Sequence, residues 1–144
     1  DMIARVRQMY EIIPGRLFQS RVLTDWREVT SRGIRVVISL VPEGLPLPPP
    51  LGVVYLAWPI EDAELPDEGI LWAIASLGAD CLLECSVCCQ CAEGMNRSGL
   101  LCACILAKWQ NIPVQEAIVR VRRAVPGALS NPQFAAYLEQ GCAI

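Results

Sequence analysis

The sequence of 144 residues contains no histidine. This absence excludes three classes of site: Ser-His-Asp hydrolases, Cys-His proteases and every zinc site that uses an imidazole ligand. A nucleophilic cysteine in this chain must therefore be activated by other groups. The candidates are a guanidinium, backbone N–H groups and the positive end of a helix dipole.

The sequence also lacks a long uninterrupted apolar run. The longest apolar stretch near the cysteines, Leu100 to Ala107, ends at Lys108 and is too short to span a bilayer. No charged-then-apolar signal segment opens the sequence at Asp1. We therefore expect a soluble, cytoplasmic protein with no membrane partner.

An excess of positive charge is missing as well. The 12 Lys and Arg residues stand against 15 Asp and Glu residues, which gives a net charge of −3. General attraction to nucleic acid or to anionic membranes requires the opposite balance. Only a local basic site remains open, and nucleic acid is not the partner we expect.

Cysteine, by contrast, is abundant. Of the eight cysteines, all but Cys142 lie between Cys81 and Cys104, inside apolar segments. Disulfide-stapled secreted domains do not cluster their cysteines in this way, so the pattern predicts a reducing compartment. Cys85 and Cys88 have the spacing of half a zinc site, but side chains on a strand alternate between faces. We expect no metal, and core packing for most of these thiols.

Composition and hydrophobic patterning predict one globular α/β domain over residues 1–144. Apolar residues make up 53% and charged residues 19% of the chain, and we assume a monomer. The predicted strands are the two halves of 11–20 around Pro14-Gly15, then "IRVVISL", "VVYLAWPI" and "LLECSVCCQ". Five helices are predicted. The first follows Thr24-Asp25, the second carries Ile70, Leu71, Ile74 and Leu77, and the third is "SGLLCACILAKW". The fourth follows Pro113 and the fifth begins at Asn131-Pro132. The prolines of 42–50 predict a surface loop. This alternation indicates a central, mostly parallel sheet flanked by helices.

The segment "QCAEGMNRSG" lies between the last predicted strand and a helix. In that position backbone N–H groups and the positive end of the helix dipole can converge on one anion. Gly94 allows the backbone to curl, and the planar guanidinium of Arg97 matches two phosphate oxygens. Cys91 lies at the bottom of this cup. The predicted phosphate-binding residues are Ala92, Glu93, Gly94, Met95, Asn96 and Arg97.

A thiol in such a cup is surrounded by groups that favour its ionised form. The Cys91 thiolate can attack phosphorus in line and form a cysteinyl-phosphate, which water then hydrolyses. Ser98 can donate a hydrogen bond to the sulfur as it leaves. A purely structural cysteine would not require glycine, arginine and serine in this order after it. We predict catalytic roles for Cys91, Arg97 and Ser98, without a cofactor.

These residues resemble a known family. "CAEGMNRSG" is similar to the Cys-x5-Arg-Ser signature loop of the cysteine-dependent protein tyrosine phosphatases, most of all in their small dual-specificity branch. "IIPGRLFQS" resembles the entry hairpin of that branch, "WPIED" its general-acid loop and "VRRAVPGALSNPQFAAYL" its two closing helices. The resemblance covers nearly the whole chain. It implies a single catalytic domain and metal-free hydrolysis of phosphomonoesters.

Such a reaction is faster when an acid protonates the leaving group. The resemblance places this acid in the segment "WPIEDAELPD", and Asp62 has the spacing from Cys91 that the family implies. Glu61 and Glu64 are the neighbouring carboxylates, whereas Asp67 is better explained as the start of a helix. We therefore predict Asp62 as the general acid.

One residue departs from the family pattern. The family usually has histidine immediately before the nucleophile, and Gln90 stands there in this chain. A glutamine side chain donates and accepts hydrogen bonds but carries no charge. We expect this replacement to weaken the activation of the thiol.

The loop also bears on the substrate. It carries Glu93 and no lysine, which disfavours a polyphosphorylated inositol head group. We predict a phosphoprotein substrate carrying phosphotyrosine, with phosphothreonine and phosphoserine as further substrates. Two alternatives stay open. "NRSG" resembles the related RNA 5′-triphosphatases, and Gln90 is compatible with a weakly active or inactive phosphate-binding module.

Four further thiols are candidates for trapping an oxidised Cys91 as a disulfide. They lie in the preceding strand and in the following helix, at Cys88, Cys89, Cys102 and Cys104. We favour Cys88 and Cys102 as partners and expect core packing for the other two.

Overall fold

The computed structural model describes residues 9–46 and 48–141. The strands in this part are β1 (Met9–Ile13), β2 (Leu17–Ser20), β3 (Ile34–Ser39), β4 (Val54–Ala57) and β5 (Ser86–Gln90). The helices are α1 (Arg27–Thr30), α2 (Glu68–Cys81), α3 (Arg97–Gln110), α4 (Val114–Ala124) and α5 (Pro132–Glu139). No helix of the described residues is long and apolar enough to cross a membrane.

The strands form one sheet in the order β1-β2-β5-β3-β4. Of the described strands, only β1 runs antiparallel to its neighbour, and the other pairs are parallel. The prediction of a mostly parallel sheet flanked by helices is confirmed. β5 is central, and its last residue Gln90 pairs with Ser20 on one side and Ser39 on the other. Three parallel strands therefore end together at the edge of the sheet where α/β proteins bind ligands.

Helices cover both faces of this sheet. On one face α3 packs against α2 and α4, and its residues from Ser98 to Ala107 are all buried. The opposite face is covered by α1, whose Val29 packs with Phe18 and Val37 of the sheet. A helix that is apolar almost all round belongs in the core, so the prediction for "SGLLCACILAKW" is confirmed.

The prediction that "VVYLAWPI" forms a buried strand is wrong. Its strand, β4, lies at the edge of the sheet and pairs only with β3 among the described strands. Val54 and Ala57 are exposed, and Tyr55 and Leu56 are half-buried. Hydrophobic composition indicates a strand but does not indicate whether that strand is central or at an edge.

The predicted core face of α2 is also partly wrong. Ile70 and Leu77 are 46% and 43% exposed, although Leu71 is fully buried. The face that packs against the core is rotated from the predicted one, and it consists of Leu71, Trp72, Ala75, Gly78 and Ala79. Space at Gly78 is tight, because a Cβ on it would lie 2.6 Å from the Cδ1 atom of Ile105 in α3, and that side chain would have to move.

The predicted start of β5 is too early. Residues 82–85 form the turn that ends α2, in which the N–H groups of Glu84 and Cys85 both donate to the Cys81 carbonyl. The strand therefore begins at Ser86. The prediction of a loop over 42–50 is confirmed at every position except Leu47, which lies outside the described residues.

Candidate active site

Cys91 is the first residue after β5. Its backbone N–H donates to the Ser20 carbonyl at 3.1 Å, so its main chain is held by the sheet. The residue is only 2% exposed, and its Sγ lies 3.2 Å from the Oγ of Ser98. Ser98 is buried in the first turn of α3. The fold thus brings together two residues that the sequence predicted to act in one reaction.

The signature loop, residues 91–97, turns several carbonyl groups towards the protein. The Ala92 carbonyl accepts from the Val22 N–H at 3.5 Å, and the Met95 carbonyl accepts from the Leu129 N–H at 3.2 Å. A planar trans peptide group directs its C=O and N–H in opposite directions, so the N–H groups are directed away from these contacts. Within the described residues, no backbone N–H from 92 to 98 donates to a protein acceptor. An arc of unpaired N–H groups beside a thiol is an anion-binding arrangement.

Gly94 makes the bend in this loop possible. Its φ is +73°, in the left-handed region that side chains disfavour. A Cβ at this position would lie 2.6 Å from the Arg21 nitrogen and 2.7 Å from the Ser20 carbonyl carbon. Both contacts are with backbone atoms and cannot be relieved by a rotamer change. Glycine is therefore required here for two independent reasons.

Arg97, the first residue of α3, links the signature loop to the segment before α2. One terminal guanidinium nitrogen donates to the Ile60 carbonyl at 3.0 Å. The Nε is buried and has no hydrogen-bond partner among the described residues. A buried, unpaired donor is unfavourable unless a ligand satisfies it. Arg97 thus retains hydrogen-bonding capacity for an anion.

Asp62 lies in the acid loop, residues 58–67, and is held at the edge of the signature loop by two amide side chains. Its Oδ2 accepts from the Asn96 Nδ2 at 3.1 Å, and its Oδ1 accepts from the Asn131 Nδ2 at 2.8 Å. The two asparagines are themselves joined, since the Asn131 N–H donates to the Asn96 Oδ1 at 2.9 Å. Asp62 therefore contacts Asn96, the residue that immediately precedes Arg97 in the signature loop.

The other carboxylates of the acid loop lie elsewhere. Asp67 is the N-cap of α2, and its Oδ1 accepts from the Ile70 N–H at 2.9 Å, as the sequence predicted. Glu61 and Glu64 line a cavity of about 400 Å³ together with Ile60, Ala63 and Pro66. Of the four acidic residues, Asp62 is the one bonded to the signature loop.

Gln90 ties together segments that meet at the end of the sheet. Its Oε1 accepts from the Leu23 N–H at 2.9 Å, and its Nε2 donates to the Ser39 Oγ at 2.9 Å and to the Tyr55 hydroxyl at 3.4 Å. The side chain is fully buried. All three partners are neutral and none is Cys91, so Gln90 acts on the thiol only through the backbone it holds.

The neighbouring thiols separate into two groups. Cys88 lies on the α1 face of the sheet, with its Sγ 3.3 Å from the Ser20 Oγ, whereas Cys91, Cys89 and Cys102 pack on the α3 face. The choice of Cys88 as a disulfide partner is therefore wrong, because strand alternation directs it away. Burial raises the pKa of Cys88 to about 12. Burial, and then the Cys89 thiol, raise the pKa of Cys102 as well. Both thiols stay protonated near neutral pH.

Two residues at the site were missed by sequence reasoning. Gln19 in β2 is fully buried, and its Nε2 donates to the Gly94 carbonyl at 2.8 Å and to the Met95 carbonyl at 3.4 Å. Asn131 was predicted only as the cap of α5; it does cap that helix, but it also binds Asp62. Gln19 had a faint signal, a polar side chain at an inward position of "RLFQS".

Comparison with known proteins finds no match to any protein-family model and none to a curated protein sequence. Solved structures do match. Tk-PTP in its active form is 27% identical, with a TM-score of 0.72 over 96% of this chain and 100% of that chain. Human DUSP28 is 20% identical, with a TM-score of 0.75 over 93% of this chain and 92% of that one. PTPMT1 in complex with PI(5)P is 16% identical, with a TM-score of 0.78 over 93% and 94%.

The likenesses to DUSP28 and PTPMT1 demonstrate a shared fold. The likeness to Tk-PTP adds a higher identity, over 96% of this chain and the whole of that chain. Within this fold, the chain carries a cysteine and an arginine at the two ends of a bent loop between the central strand and a buried helix. The chain therefore has the fold of the cysteine-dependent protein tyrosine phosphatases, and it is similar to solved structures from their small dual-specificity branch.

Proposed function

We propose that the chain hydrolyses phosphotyrosine in phosphoproteins, with phosphothreonine and phosphoserine as further substrates. One arrangement carries the proposal. The Cys91 Sγ lies 3.2 Å from the Ser98 Oγ, and beside it is an arc of backbone N–H groups that have no protein acceptor among the described residues. A nucleophile next to preorganised donors for phosphate oxygens is what cysteinyl-phosphate chemistry requires.

The first step transfers the phosphoryl group to the enzyme. The N–H arc and Arg97 bind the non-bridging oxygens, and the Cys91 thiolate attacks phosphorus opposite the leaving oxygen. The S–P bond forms as the P–O bond to the substrate breaks. Protonated Asp62 gives its proton to the departing oxygen, which leaves as a neutral phenol or alcohol. Asp62 is then a carboxylate.

The second step returns the enzyme to its starting state. A water molecule gives a proton to the Asp62 carboxylate while its oxygen attacks phosphorus. The new P–O bond forms as the S–P bond breaks, and inorganic phosphate is released. The Ser98 hydroxyl, 3.2 Å from the sulfur, stabilises the thiolate that leaves.

The charges at the signature loop support a phosphoprotein substrate. Glu93 is exposed in this loop, and a carboxylate there disfavours ligands that carry several phosphates. PTPMT1 was solved with PI(5)P, so a phosphatidylinositol monophosphate belongs among the substrates tested. The case for RNA is weaker than the sequence suggested, since the Asn96 side chain is bonded to Asp62 and to Asn131.

The proposal is tested first with Cys91→Ser. A hydroxyl does not ionise near neutral pH as a thiol does, whereas the N–H arc and Arg97 remain in place. We expect hydrolysis of a phosphotyrosyl peptide and of para-nitrophenyl phosphate to fall below detection. Inorganic phosphate should still bind, as measured by calorimetry. Cys85→Ser, which changes a half-buried thiol in the turn before β5, is the matched control and should leave the rate unchanged.

Either of two results would contradict the proposal. Turnover by Cys91→Ser near the wild-type rate would exclude the thiolate mechanism. A wild-type protein that binds phosphate but hydrolyses nothing would instead be a phosphate-binding module. The substrate class is read from rates on phosphotyrosyl and phosphothreonyl peptides, vesicles containing phosphatidylinositol 5-phosphate, and triphosphate-ended RNA; a higher rate on vesicles or RNA would overturn the choice of phosphoprotein.

A further inference from the structure

A buried amide lies beneath the signature loop. Gln19 is fully buried in β2, on the face of the sheet that α3 covers, and its Nε2 donates to the carbonyls of Gly94 and Met95 at 2.8 and 3.4 Å. Space for this side chain is tight. A Cβ on Gly99 in α3 would lie 3.4 Å from the Gln19 Nε2.

The other end of the same amide is unsatisfied. The Oε1 of Gln19 is buried and has no hydrogen-bond partner within residues 9–46 and 48–141. An unpaired buried oxygen costs folding free energy, and this cost offsets the stability gained from the bonds that the Nε2 makes. The bonds that the amide does make both go to the signature loop, which points to a role there besides stability.

That role follows from the geometry of the peptide group. C=O and N–H point in opposite directions across each planar trans peptide. A donor that holds the Gly94 carbonyl therefore directs the Met95 N–H away from the core, and one that holds the Met95 carbonyl does the same for the Asn96 N–H. Both N–H groups belong to the arc that lacks protein acceptors among the described residues.

We propose that Gln19 is a positioning residue that orients the Met95 and Asn96 N–H groups towards the bound phosphoryl group. The Met95 carbonyl has a second donor, the Leu129 N–H at 3.2 Å. The Gly94 carbonyl has only Gln19 among the described residues. Removing Gln19 therefore frees the peptide between Gly94 and Met95 to rotate, and a rotated peptide presents its carbonyl, not its N–H, to the anion.

This inference rests on the proposed function, and the test separates the two. Phosphate affinity is measured by calorimetry in the Cys91→Ser background, where no chemistry occurs. We expect Gln19→Met to weaken phosphate binding about 10- to 100-fold, the range for losing one donor to a charged oxygen. The melting temperature should change little, because the variant leaves the Gly94 carbonyl without a donor but removes the unpaired Oε1 of Gln19. Gln19→Glu, which places an acceptor against two carbonyls, should bind phosphate at least as weakly as Gln19→Met.

Ser20→Ala is the matched control. It removes a buried polar side chain from the next position of β2, on the opposite face, where its hydroxyl contacts the Cys88 thiol. It should leave phosphate affinity unchanged. In the active enzyme, Gln19→Met should lower kcat/KM by a similar factor for good and poor leaving groups, whereas loss of the acid affects poor leaving groups more.

The outcomes are distinct. Failure of Cys91→Ser itself to bind phosphate would refute the proposed function. A phosphate affinity that Gln19→Met leaves unchanged, with or without a lower melting temperature, would refute the role of Gln19 alone. If Gln19→Met fails to fold, phosphate titration of the Cys91→Ser protein followed by amide NMR decides; shifts of the Met95 and Asn96 N–H signals are expected, and their absence would overturn the inference.

Discussion

The signature loop and the acid loop meet at one site but are held in different ways. The signature loop is held through its backbone: its carbonyls accept from Val22, Leu129 and Gln19. Its neighbours in β5 and α3 are buried. The acid loop is exposed from residue 61 to residue 64. Its catalytic candidate, Asp62, is held by two side-chain amides.

This difference separates two tasks. Binding phosphate requires many donors in fixed positions, and backbone contacts to a buried frame supply them. Delivering a proton requires one carboxyl group that can approach different leaving groups, and side-chain contacts at the surface allow that adjustment. A change in the signature loop should therefore affect all substrates equally. A change around Asp62 should depend on the leaving group.

The largest leaving-group effect is expected for Asp62→Asn. Removing the acid should slow aryl phosphates with poor leaving groups about 10²- to 10⁴-fold, the usual contribution of a positioned acid. Substrates whose leaving group needs no proton should be affected much less. The slope of log kcat/KM against leaving-group acidity, measured for a series of aryl phosphates, reports this directly.

Asp67→Asn is the control for that variant. Asparagine still caps a helix, so α2 should remain intact and the rates should stay near those of the wild type. A small, uniform effect of Asp62→Asn together with a leaving-group-dependent loss in Asp67→Asn would move the acid to Asp67. It would also remove the contrast between the two loops.

The same contrast explains what the sequence could predict. Cys91, Gly94, Arg97 and Ser98 lie within eight consecutive positions between a strand and a helix, so local geometry is enough to predict that they lie together. Gln19 contacts the loop from 75 positions away in the chain. Only the parallel pairing of β2 with β5 brings it there, and local patterning does not contain that information.

The errors in the predicted fold have the same physical origin. "VVYLAWPI" has the composition of a buried strand, but its place at the edge of the sheet depends on the order of strands. In α2 apolar residues occur on several faces, so periodicity alone did not determine which face meets α3. The helices begun at Pro113 and Asn131 were predicted correctly because their capping signals are local.

A smaller effect is expected when the hold on Asp62 is loosened. Asn131→Ala removes the donor to the Asp62 Oδ1, and we expect about a 10-fold loss of kcat/KM on poor leaving groups, consistent with one hydrogen bond to a charged group. It also removes the cap of α5, whose Gln133 and Phe134 N–H groups bind the Asn131 Oδ1. That loss should lower the free energy of unfolding by about 1 kcal/mol.

Asn131→Asp separates these two consequences. Aspartate caps a helix as well as asparagine does, but its side chain has no N–H to offer Asp62. We expect stability to be retained and activity on poor leaving groups to fall at least as far as in Asn131→Ala. If Asn131→Asp has both the activity and the stability of the wild type, Asn131 only caps α5 and does not position Asp62.

The smallest effect is expected at Gln90, which holds the base of the signature loop without touching the sulfur. Gln90→His restores the residue usual in the family. An imidazole can still bond Ser39 or Tyr55, but it cannot reproduce all three bonds that Gln90 makes. We therefore expect a modest loss of thermal stability.

The pH profile of Gln90→His carries the functional information. A group that is positively charged, or a stronger donor, next to the nucleophile favours the thiolate. The acid limb of the kcat/KM profile should therefore move to lower pH, while the rate at its plateau changes less than in any variant above. The partners of Gln90 are neutral, and it acts on Cys91 through the backbone. The shift of the acid limb therefore measures how much a charged side chain at position 90 adds to the ionisation of the thiol. An acid limb at the wild-type position would mean that the backbone around Cys91 activates the thiol without a charge at position 90. The nucleophile would then depend on backbone contacts, as the rest of the signature loop does, whereas Asp62 depends on side-chain contacts.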